Sequence, residues 1–71
     1  MSPYQNLANA IVELAAKDYR KALKRLSKYP HDREGLYMKE ECERFFRSRW
    51  YGLLTGIDPE FLINKLQMEV M

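Results

Sequence analysis

From Leu7 to Tyr29 the apolar residues fall three or four positions apart, at Leu7, Ile11, Ala15, Tyr19, Ala22, Leu26 and Tyr29. Only an α-helix turns that spacing into one continuous stripe. Val12, Leu14 and Leu23 widen the stripe, and Lys17, Arg20, Lys21, Lys24 and Lys28 gather on the opposite side. A helix over residues 4–28 is therefore predicted, ending before Pro30 because the residue preceding a proline is pushed out of the helical region. A second helix is predicted over 32–54, with Met38, Cys42, Phe45, Phe46 and Leu53 on its apolar face and Trp50 at the margin. Thr55-Gly56 reads as its stop. Asp58 then serves as N-cap and Pro59 as first residue of a third helix over 59–70, whose buried stripe is Leu62, Ile63, Leu66 and Val70. The pattern is an all-α chain, a helical hairpin with a shorter C-terminal helix laid across it, forming one domain over residues 1–71.

A chain of 71 residues buries only about 60% of its unfolded surface, so the core is small. Cys42 is the only cysteine and His31 the only histidine, which removes an intrachain disulfide and a Cys/His metal cluster as supplements. Homo-oligomerisation or very regular helix packing remains as the supplement, and self-association is expected. No run approaches the ~20 apolar residues needed to cross a bilayer, and no basic region precedes an apolar one at the start. With a free cysteine, these features point to a cytoplasmic protein.

The formal net charge is only +2, but it is unevenly distributed. Residues 17–28 hold six basic side chains against Asp18, while residues 32–43 hold five acids against Arg33 and Lys39. Lysines at helical spacing form a line of positive charge that could follow a phosphate backbone, or simply the solvated back of an amphipathic helix.

The densest chemistry lies in Glu43-Arg44-Phe45-Phe46-Arg47-Ser48-Arg49-Trp50-Tyr51, with three arginines and four aromatics in nine residues. Guanidinium groups match phosphate oxygens and aromatic faces stack on bases, the combination a nucleotide site requires. On a continuous helix Arg44, Arg47 and Tyr51 share one face, and the structural alternative pairs the two arginines with Glu40 and Glu43. Arg49 projects from the apolar face, where it must snorkel, pair with an acid such as Asp18, or meet a ligand at a subunit boundary. No nucleophile context surrounds Ser27 or Ser48, His31 sits in a turn, and the three glycines form no phosphate loop, so catalysis and cofactors are not expected.

Asp18-Tyr19-Arg20-Lys21-Ala22-Leu23-Lys24-Arg25-Leu26, the arginine and aromatic segment, Leu54-Thr55-Gly56-Ile57-Asp58 and Leu62-Ile63-Asn64-Lys65-Leu66 together resemble small phage and prophage proteins of Firmicutes. That resemblance implies action in the infected bacterial host by binding, as counter-defence factors do. By analogy with viral sponge proteins, which sequester cyclic nucleotides, it implies Arg44, Arg47 and Arg49 on phosphates and Trp50 or Tyr51 on bases. Two alternatives stand beside it: a nucleic-acid-binding accessory factor using Lys17, Arg20, Lys21, Lys24 and Lys28, and an inhibitor that binds a host defence enzyme through Trp50 and Tyr51.

Overall fold

A computed structural model describes the backbone of residues 3–70 and the side-chain environment of residues 7–70. Among the described residues four helices follow one another: α1 (Pro3–Lys28), α2 (Arg33–Phe46), α3 (Arg49–Leu54) and α4 (Pro59–Val70). The all-α class and the hairpin of α1 with α2 agree with the sequence pattern, and α4 has the predicted bounds. Asp32 caps α2, its carboxylate accepting from the Gly35 amide at 3.0 Å. Asp58 begins α4 in the same manner, accepting from the Glu60 amide at 3.1 Å, with Pro59 in the first helical position. At Gly35 a Cβ would lie 3.1 Å from the Leu26 side chain, so glycine lets α2 start close against α1.

The single helix predicted over 32–54 is two helices. The chain leaves α2 at Arg47, where the Ser48 hydroxyl donates to the Phe45 carbonyl at 2.6 Å and then accepts from the Tyr51 amide at 3.3 Å. Ser48 thus ends one helix and caps the next. The physical gain is in the core. Five residues apart, Phe46 and Tyr51 would point about 140° away from each other on an unbroken helix. With the break, they are 0% and 1% exposed, and their rings meet edge-on with centroids 5.8 Å apart. Thr55 stops α3 in an extended conformation, and no described glycine has a positive φ, so Gly56 is not a left-handed cap.

Around this pair the core collects Ala16 and Tyr19 from α1, Cys42 from α2, and Ile63 and Leu66 from α4. Tyr19 packs edge-on against Phe46 at 5.7 Å, and Phe45 against Tyr51 at 6.0 Å. Such pairs add about 0.5–1.5 kcal/mol each beyond their buried area. A polar strut crosses the core edge: Tyr19 donates to Glu43 at 2.6 Å and accepts from the Gln67 amide at 3.1 Å, joining α1, α2 and α4.

Several residues assigned to the buried stripes lie outside. Leu7 and Leu14 are exposed because the core faces Tyr19, Ala22 and Ala16, and these two leucines stand well round the helix from that direction. Tyr29 follows the last residue of α1 and points to solvent. Leu53 and Trp50 are exposed because the break at Ser48 turns their face outward.

Candidate polyanion-binding face

Residues 17–28 belong to one unbroken stretch of α1, so the spacing of Lys17, Lys21, Lys24 and Lys28 becomes geometry directly. Steps of four, three and four residues keep all four ammonium groups on one side of the helix, along about 16 Å of its axis. That side is turned from the core, and all four lysines are exposed. None has a carboxylate within salt-bridge distance among the described residues, although Glu13 is one turn before Lys17.

Arg20, grouped with them by sequence, is engaged elsewhere. Its guanidinium grips Glu69 of α4 through two bonds of 2.6 and 3.4 Å, which holds it at the border between α1 and α4. Arg25 is likewise committed, to Asp32 and to Glu34 at 2.8 Å. The lysine line runs into an open depression of about 620 Å³ between the end of α1 and the end of α4, lined by Lys24, Lys28, Tyr29 and Glu69. Tyr29, expected in the core, therefore stands as an exposed ring beside Lys24 and Lys28.

The arginine and aromatic segment is divided by the break at Ser48. Arg44 binds Glu41 at 2.8 Å, one residue away from the partner expected for it. Arg47 binds Glu60 of α4 through two bonds of 2.7 and 3.2 Å and also faces Glu43 at 3.6 Å. The Arg47 bond holds the Glu60 carboxyl below the usual carboxylate range. Tyr51, expected on the open face with these arginines, is buried in the core, and burial followed by the nearby Asp58 charge pushes its hydroxyl above the ordinary tyrosine value. It has no ring face to offer a base or a host protein. Arg49 and Trp50 remain exposed in the first turn of α3, and Arg49 has no ion pair among the described residues. Its expected place on the apolar face is corrected by the same break, which starts a new helix at that residue.

Two other features bear on chemistry. Burial, aided by Asp18, Glu41 and Glu43, pushes the Cys42 thiol up to about 11, so it is a packed side chain with little thiolate at neutral pH. Among the described residues no three His, Cys, Asp or Glu side chains converge as a metal site, and no helix is long and apolar enough to cross a membrane. Comparison of the chain with protein-family models, curated proteins and solved structures gives no match.

Proposed function

We propose that this protein is a non-catalytic nucleic-acid-binding factor that lays the lysine line of α1 along a phosphate backbone. The observation that carries the reading is a contrast in pairing. Among the described residues Arg20, Arg25, Arg44, Arg47 and Lys39 hold carboxylates, whereas the aligned Lys17, Lys21, Lys24 and Lys28 hold none, nor do the separate Arg33, Arg49 and Lys65. A cation already neutralised gains little by meeting a phosphate, and a free row of four releases counterions from the nucleic acid when it binds. The 16 Å line matches about five steps of a duplex strand. Aromatic rings are absent along it except Tyr29 at its end, so contacts are to backbone and largely independent of sequence. If the chain is phage-encoded, as the resemblance implies, the ligand is phage or host nucleic acid.

The test is fluorescence anisotropy with labelled 20-nucleotide single strands and 20-bp duplexes at low salt. Reversing charge at Lys17→Glu, Lys21→Glu and Lys24→Glu together should abolish binding, while Lys65→Glu, on α4, should leave it nearly unchanged. Equal affinity of the triple variant and the parent protein removes the proposal.

Sequestration of an anionic nucleotide is the second reading, favoured by exposed Arg49, which has no ion pair among the described residues, next to exposed Trp50. It now depends on two of its five residues, since Arg44 and Arg47 are paired and Tyr51 is buried. Melting curves with a panel of cyclic di- and trinucleotides separate it from the first, because a ligand at 100 times its dissociation constant adds about 2.7 kcal/mol.

A further inference from the structure

Lys24, Arg25, Lys28, Tyr29, Glu69 and Val70 bound the depression at the end of the lysine line, and its volume of about 620 Å³ is in the range of pockets that hold small organic groups. Its charged residues are not equivalent. Arg25 is held by Asp32 and Glu34, and Glu69 is matched by Arg20, whereas Lys24 and Lys28, about one helical turn apart, have no carboxylate within salt-bridge distance among the described residues. Tyr29 is 65% exposed. Its backbone is fixed on both sides, the amide donating to the Arg25 carbonyl at 2.8 Å and the carbonyl accepting from the Asp32 amide at 3.0 Å. The ion pair of Arg25 with Asp32 closes the same turn, and Pro30 follows directly. A ring carried on a fixed backbone loses little freedom when another ring stacks on it.

We infer that this depression receives an unpaired base, stacked on the Tyr29 ring with its flanking phosphates on Lys24 and Lys28, so that the nucleic acid held by α1 is single-stranded at this end. The inference rests on the phosphate-backbone reading of the lysine line and adds the strand form of its ligand. A cationic track with an aromatic ring set into it is how single strands are held without regard to sequence, because every base has a face that stacks. In a duplex the bases are paired and stacked on one another, so a paired strand reaches the lysines through its phosphates and has no base face to give Tyr29. The one acid lining the depression does not oppose this ligand, since Glu69 is gripped by Arg20 through two bonds. Val70 adds apolar surface on the α4 side.

Anisotropy titrations with a labelled single strand and a blunt duplex of the same length test the inference on the intact protein. Tyr29→Ala should weaken single-strand binding about fivefold or more, and Tyr29→Phe should retain it. Neither variant should change the affinity for the duplex or the salt slope of either ligand, and helical circular dichroism should be unaltered. In Tyr29→Trp combined with Trp50→Phe, emission of the single tryptophan should be quenched by the single strand and not by the duplex. Single-strand binding that Tyr29→Ala leaves unchanged, an equal loss for both ligands, or binding of the duplex alone overturns the stacking site while the lysine line stands. Failure of the parent protein to bind either ligand overturns both readings together.

Discussion

Tyr19 on α1 donates its hydroxyl proton to Glu43 on α2 at 2.6 Å, and this bond is the centre of the only polar strut described between α1, α2 and α4. Glu43 also takes Lys39 at 2.8 Å, so a half-buried carboxylate is held by three helices' worth of packing and two donors. Tyr19→Phe removes a bond to a charged group and should lower stability by about 1.5 kcal/mol in urea unfolding, with the fold retained. A loss below about 0.3 kcal/mol contradicts the importance given to the strut.

Acid should loosen the same region. Burial pushes the Glu43 carboxyl up, but the bonds from Lys39 and Tyr19 outweigh burial and leave it below the ordinary value. Glu60 and Glu69 are lowered too, through Arg47 and Arg20. A carboxylate with a lowered folded-state value contributes stability that is present above the unfolded value, about 4.3 for glutamate, and lost as pH falls through the folded one. Urea midpoints should therefore be flat from pH 7 to about 5 and decline below about 4. In Glu43→Gln the decline should be shallower. An unchanged slope in that variant argues against Glu43 as a contributor.

Tyr51 presents the opposite case to Tyr19. Its ring is in the core and its hydroxyl is buried without a partner among the described residues. Removing an unsatisfied polar atom while keeping the ring should leave stability unchanged or raise it, so Tyr51→Phe should gain up to about 1 kcal/mol by thermal or urea unfolding. A loss of that size means the hydroxyl has a partner after all.

Cys42 offers a direct reading of core opening. With the thiol pushed up to about 11, its reaction with a disulfide reagent at pH 8 should be far slower than that of the unfolded chain. The rate should increase with sub-denaturing urea as the core opens. Reaction as fast as a free thiol in native buffer contradicts the burial.

Much of this architecture is legible in the sequence because it depends on local chemistry. Asp32 and the Asp58-Pro59 pair announce helix starts through their own side chains and backbone, and Pro30 excludes continuation of α1. The break at Ser48 is harder to see, since a single serine inside a helical pattern is tolerated and only the core shows why Phe46 and Tyr51 must converge. That one turn relocates Tyr51, Leu53, Trp50 and Arg49 relative to a continuous helix, and with them most of the predicted nucleotide site. The pairing of cations is illegible for another reason: Arg47 meets Glu60 thirteen residues on and Arg20 meets Glu69 forty-nine residues on. Helical spacing reveals neighbours within one helix, such as Arg44 and Glu41, and says nothing of these. The side of α1 on which the four lysines fall is legible because it depends on helical spacing alone.

The most direct measurement is the salt dependence of binding to a labelled duplex between 25 and 200 mM salt. Neutralisation of four phosphates by Lys17, Lys21, Lys24 and Lys28 predicts a slope of about −3.6 in log K against log salt, made shallower by about 0.9 for each lysine replaced by alanine. Absence of binding at 25 mM salt, or a slope that Lys21→Ala and Lys24→Ala leave unchanged, would contradict the account.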